Sequence, residues 1–175
     1  LPTAEPDAIT TDYDTNQTYT PLDNDRAGAA DFPLLASSVK LCGVSPVQTP
    51  NNCTQTSLAV PGEGTYTVNP DGTVTFDPLP TFVGQVATPV TYQAKDSLNR
   101  FVDETITPTI LPPPAPTATP DAITDDYDKN QTYTPLANDT RGATDFPLLA
   151  SSVKLCGIDP VQTPNNCTQT SLTVP

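Results

Sequence analysis

Internal repetition constrains this chain more than any other feature. Pro6-Asp7-Ala8-Ile9-Thr10 returns as Pro120-Asp121-Ala122-Ile123-Thr124, and Asn16 to Leu22 returns as Asn130 to Leu136. The stretch Asp31 to Gly43 returns as Asp145 to Gly157. The offset stays at about 114 residues without insertion or deletion. Solenoid units run about 20 to 50 residues, so this period is too long for one; it matches a whole domain. Residues 1–110 read as a complete repeat, 111–120 as a linker, and 121–175 as the first half of a second repeat. Near-identity that extends into the loops suits a spacer, where copy number sets length. An enzyme would need a site in every copy.

The content of each copy predicts an all-β domain. No segment carries a sustained helical stripe, while Thr, Val, Tyr and Ile runs are cut by Pro, Asn, Asp and Gly at short intervals. Gly64 to Val68 and Thr73 to Phe76 alternate polar and apolar residues around Asn69-Pro70-Asp71-Gly72, which predicts a hairpin with Tyr66, Val68, Val74 and Phe76 inward. Pro78 to Gly84 reads as a loop with an apolar plug. Val90 to Ala94 reads as a strand with Val90, Tyr92 and Ala94 inward. Phe101 to Ile110 reads as the last strand, facing inward through Val102, Ile106 and Ile110, and its Pro108 predicts an edge position or a bulge. In the first half, strands are expected over 8–13, 17–21, 38–42 and 53–60. Leu111 to Pro120 is rich in proline and predicts a polyproline II spacer of about 30 Å.

Four cysteines form two equivalent pairs, Cys42 with Cys53 and Cys156 with Cys167. No His or CxxC accompanies them, so zinc is a poor reading, and one disulfide per repeat in an oxidising compartment is the natural one. Cys42–Cys53 would clamp a hairpin whose tip is Gly43 to Asn51. The chain has no His at all, which removes the commonest general base and metal ligand. Its glutamates, Glu5, Glu63 and Glu104, lie in no recognisable motif, so no enzyme and no cofactor are expected. Seven basic residues against twenty acidic ones give a net charge of −13, which repels phosphate backbones and argues against nucleic-acid binding. No run approaches the roughly 20 apolar residues of a membrane span. The absence of a signal peptide reads as an internal or mature fragment, with any anchor outside it.

The set Pro61 to Phe76, Phe82-Val83-Gly84, Thr88 to Tyr92 and Asp96-Ser97 resembles the signature of the CshA-type fibril repeat. Pro6-Asp7, Asn24-Asp25 and Ser37 to Leu41 are similar to the opening of such repeats and of related bacterial cadherin-like or Ig-like modules. The resemblance implies Ig-like or cadherin-like antiparallel β-sandwich units in tandem. It implies a structural stalk in a long extracellular fibrillar surface protein, projecting a separate adhesive region from the cell. The cysteine pair departs from the cysteine-free repeats of that family. The expected location is extracellular, at the cell surface or on a wall-anchored fibril. The expected partners are neighbouring repeats, and other copies if filaments form by strand complementation. The alternative is a repeat that itself binds a host protein or glycan.

Three further constellations stay open at this point. Asp7, Asp12, Asp14, Asn24 and Asp25, repeated as Asp121, Asp126, Asp128, Asn138 and Asp139, offer hard oxygen ligands for Ca²⁺ but lack any EF-hand spacing. Asn24-Asp25 is alternatively a turn bonding its own backbone. Lys40 or Lys95 with an Asn and Glu104 could form an intramolecular isopeptide bond, or simply line strands. Asn16, Asn52, Asn130, Asn138 and Asn166 stand in N-x-[ST] contexts that are glycosylated only in a suitable host.

Overall fold

Short β-branched runs separated by proline and glycine fold as nine strands in the computed structural model, which describes residues 1–47, 53–157 and 167–173. They are β1 (Asp7–Thr11), β2 (Gln17–Tyr19), β3 (Lys40–Val44), β4 (Ser57–Val60), β5 (Gly64–Val68), β6 (Val74–Pro78), β7 (Gln85–Val86), β8 (Val90–Lys95) and β9 (Phe101–Ile110). One sheet has the order β1-β9-β8-β3, with β7 also on β9; the other has the order β2-β6-β5-β4. The architecture is that of a β-sandwich. The described residues contain only short 3-10 turns besides strands, and no helix is long and apolar enough to cross a membrane.

The chain divides into two compact units, Leu1–Pro113 and Pro114–Pro175. All nine strands lie in the first. Its core is built by alternation: Tyr66, Val74 and Phe76 point inward from one sheet, and Leu41, Val90, Tyr92, Ala94, Val102, Ile106 and Ile110 from the other. The Tyr66 and Phe76 rings lie 4.6 Å apart at a tilt of 38°. Val68, expected beside them, is only partly buried. The β5–β6 turn closes with Asn69 N donating to Thr73 O and Gly72 N to Asn69 O. Gly72 sits at φ 87°, and a Cβ there would lie 2.5 Å from Ala36 O, so the position requires glycine. Phe82 is buried, as a plug should be.

Three features differ from the sequence reading. First, β1 pairs with β9 in parallel, Asp7 beside Ile106 through Thr11 beside Ile110, so the sheet is not purely antiparallel. Second, Pro108 is neither on an outer strand nor in a bulge. It falls in the gap between the β8 ladder, which ends at Ile106, and the β7 ladder, which begins at Thr109. Its carbonyl accepts from Ala87 N at 2.8 Å, and no ladder partner on that side needs the N–H that proline lacks. Third, the arms that Cys42 and Cys53 join meet in a single antiparallel bridge, Leu41 with Gln55, and not in a ladder of two paired strands. β3 belongs to one sheet and β4 to the other, and the disulfide sits where the chain passes between them. Residues 48–51 of the expected hairpin tip lie outside the described residues.

The second unit repeats the sequence of the first half but not its strands. Its described residues hold two isolated bridges, Thr117 with Thr140 and Leu155 with Gln169, and a 3-10 turn at Ala150–Ser152. These are the counterparts of Thr3 with Arg26, Leu41 with Gln55, and Ala36–Ser38. Local structure persists in the copy, whereas the ladders need partners from residues 64–110. Thr119 N donates to Asp139 Oδ1, so residues 114–120 of the proline-rich run belong to the second unit and 111–113 to the first.

Candidate functional site

The acidic residues near the start of the domain divide into two groups. Asp7, Asn24 and Asp25 meet at the head of β1, where the chain joins the sandwich. Asn24 Nδ2 donates to Glu5 O at 3.3 Å and Pro6 O at 3.2 Å. Asp25 Oδ1 accepts from Glu5 N at 3.0 Å, and its Oδ2 accepts from the buried Tyr92 hydroxyl at 2.8 Å. The Asn-Asp pair thus ties the incoming backbone to a core tyrosine of β8. Asp12 and Asp14 lie beyond the other end of β1, exposed, with Asp14 at φ 49° in the turn. Among the described residues no group of three or more His, Cys, Asp or Glu side chains is arranged to hold a metal ion. The second copy keeps the tie in part: Asn138 Nδ2 donates to Pro120 O, and Asp139 Oδ1 accepts from Thr119 N. Its Asp121, Asp126 and Asp128 are exposed.

Asp7 is the electrostatic outlier of this group. Its Oδ2 is buried without a hydrogen-bond partner. Burial, followed by the neighbouring charges of Asp25, Asp23 and Glu104, pushes its carboxyl up to about 7, against a smaller lowering by Asn24. Asp25 is raised as well, mainly by burial.

Both cysteine pairs are disulfide-bonded. Cys42–Cys53 has a Cα–Cα distance of 4.7 Å and Cys156–Cys167 one of 4.4 Å. The β3 register against β8 shifts between Leu41 and Gly43, so Cys42 occupies a bulge. Cys53 N donates to Oε1 of the buried Gln93, which joins the disulfide to β8. Lys40 lies opposite Gln93 on β3. Lys95 Nζ donates to Asn99 Oδ1 in an exposed turn, and Glu104 Oε1 accepts from Thr105. Of the N-x-[ST] asparagines, Asn16, Asn130 and Asn138 are exposed, while Asn52 and Asn166 lie outside the described residues.

Sequence reasoning missed the buried polar ties between elements. Gln17 is buried between the sheets, donates through Nε2 to Thr109 O and accepts the Tyr19 hydroxyl at 2.5 Å. Glu63, in the β4–β5 turn, accepts from Thr88 N and Thr88 Oγ1. Asp96 is fully buried and accepts from Leu98 N, Arg100 N and Arg100 Nε. Its burial works to raise the carboxyl, but the bonds from Arg100 and Leu98 hold it below its ordinary value. The signal for Gln17 was its place in strand alternation with Tyr19, which puts an amide on a core face.

No catalytic constellation emerges from these groups. They are ties that hold strands to strands and the incoming chain to the core. A family model, the surface adhesin CshA repetitive domain, matches residues 1–110. No curated protein and no solved structure matches the chain.

Proposed function

The chain belongs to the CshA repetitive-domain family of surface adhesins, and from that premise we propose that each repeat is a stalk unit that carries tension between a cell and an adhesive region held away from it. Family membership makes this a surface protein and an adhesin repeat. The stalk, the wall-anchored fibril and the neighbouring repeats as partners are our reading. The parallel pairing of β1 with β9 is the observation that supports it most. The sequence repeat means that tension reaches a repeat through the Asp7 end of β1 and leaves through the Ile110 end of β9. Opposite pulls on adjacent parallel strands shear the five residue pairs of the ladder together instead of opening them one by one. Leu111 N donating to Thr11 O, and Gln17 Nε2 to Thr109 O, reinforce the same seam.

Single-molecule pulling tests this. A repeat stretched from its two ends should yield in one event that releases roughly 300 Å of chain at about 3.3–3.6 Å per residue, the loop closed by Cys42–Cys53 staying withheld. The force should exceed that needed when the same repeat is pulled between its Asn69-Pro70 turn and its C-terminal end. Equal forces in the two directions would remove the mechanical basis of the reading.

A further inference from the structure

The sheets divide the repeat in two. β1 pairs with β9, β2 with β6, β3 with β8 and β4 with β5. Every strand of residues 7–60 takes its ladder partner from residues 64–110, and no two strands of the first half pair with each other. The Cys42–Cys53 disulfide closes within the first half. Apart from the main chain, the halves are joined by ladders, hydrogen bonds and packing. The second half is therefore a template that selects a first half by register and core fit.

The chain carries two sequences that fit this template. Buried Gln17, Tyr19, Val39 and Leu41 recur unchanged as Gln131, Tyr133, Val153 and Leu155. Within the four strand spans only Thr11, Val44 and Ala59 differ, becoming Asp125, Ile158 and Thr173, and none of the three is buried. The connection is also long enough. A second-copy β1 in the place of the first would begin beside Ile106, four residues back along β9, or about 13 Å. Residues 111–120 reach about 30 Å even as polyproline II.

We propose that residues 121–174 can displace residues 7–60 from the template 64–110 of the same chain, giving a repeat in a permuted frame, second half first. The first frame is favoured because the short Pro61-Gly62-Glu63 turn joins β4 to β5, with Glu63 N bonding Val60 O. The longer closure of the permuted frame adds a loop entropy that grows only with the logarithm of length. Exchange needs no disulfide rearrangement, since each first half carries its own. In an array, a repeat whose first half has been torn away can refold on the first half that follows. The proposal rests on register and sequence identity, not on the stalk reading, and its test applies no force.

The test uses the full oxidised chain with a charge placed in either copy. Leu155→Asp should leave amide protection across residues 64–110 unchanged. Leu41→Asp should lower the melting temperature yet retain a cooperative transition in a monomer, with new protection at Tyr133 and Val153. The double variant should lose both the transition and the protection. Val39→Asp with Val153→Asp repeats the comparison at a second buried position. If the first-copy variants are as unprotected as the doubles, the proposal is overturned. Rescue seen only in dimers or larger species also overturns it, because the occupant would then be another chain.

Discussion

At the residue scale, the head of β1 sets a pH dependence whose sign follows from Asp7. Its unpartnered Oδ2 and the nearby Asp25, Asp23 and Glu104 favour the protonated form in the fold, with a carboxyl near 7 against an ordinary 3.8. The native state thus holds an extra proton between those values. Asp7's contribution is fully present below about 3.8 and is lost as pH rises through 7. Asp25, also raised, acts in the same direction. Asp96 acts oppositely: held low by Arg100, its contribution is present at neutral pH and lost in stronger acid. The melting temperature should therefore rise as pH is lowered from about 7 toward about 4, then fall in stronger acid. Asp7→Asn should raise stability at pH 8 and flatten that slope; a slope unchanged in the variant would refute the assignment. Tyr92→Phe removes the hydroxyl that donates to Asp25 Oδ2 and leaves the aromatic core intact. Urea titration should show a loss of about 1 kcal/mol, the net worth of a typical hydrogen bond, because Asp25 is only part-buried.

At the scale of elements, turn glycines separate backbone strain from steric fit. Gly62 and Gly72 both lie at positive φ, 82° and 87°, but a Cβ on Gly62 would meet nothing within 4 Å, whereas one on Gly72 would strike Ala36. Gly62→Ala should cost about 1 kcal/mol of strain, and Gly72→Ala should cost more, toward 3 kcal/mol. Equal losses in urea unfolding would mean that the Ala36 contact gives way freely. The same hairpin marks how far the sequence was legible. Gly64–Val68 and Phe101–Ile110 could be read because alternation and turn chemistry are local, and so were the inward Val90, Tyr92 and Ala94. The parallel β1–β9 pair could not be read, because it joins residues about a hundred apart whose own patterns do not state a direction. Pro108 misled for a related reason: its meaning depends on where two other strands stop. In the site, the adjacency of Asn24 and Asp25 was visible, but their bonds to Glu5, Pro6 and Tyr92 were not. The disulfide partners followed from spacing, while the two-sheet crossing they secure did not.

At the scale of the molecule, the chain contains its own control experiment. Leu41 and Leu155 sit in identical sequences, each beside an equivalent disulfide. Each donates its backbone N–H to the matching glutamine carbonyl, at 2.9 Å to Gln55 and 2.8 Å to Gln169. Intrinsic exchange chemistry and the local hydrogen bond are therefore the same for both amides. Only Leu41 has the rest of the sandwich around it, through the β3–β8 ladder and full burial. The ratio of their protection factors, measured by NMR hydrogen exchange, isolates what residues 64–110 contribute. If the first unit opens only globally, with the usual stability of at least about 5 kcal/mol, Leu41 should exchange more than a thousandfold slower than Leu155. Reducing the disulfides should then speed Leu155 little and Leu41 strongly, since losing a loop constraint of about 3 kcal/mol lowers the global barrier that only Leu41 feels. Comparable protection at the two leucines would show that disulfide and local turn alone order a half repeat. The partition of every ladder between the two halves would then not be what makes the repeat a single folding unit.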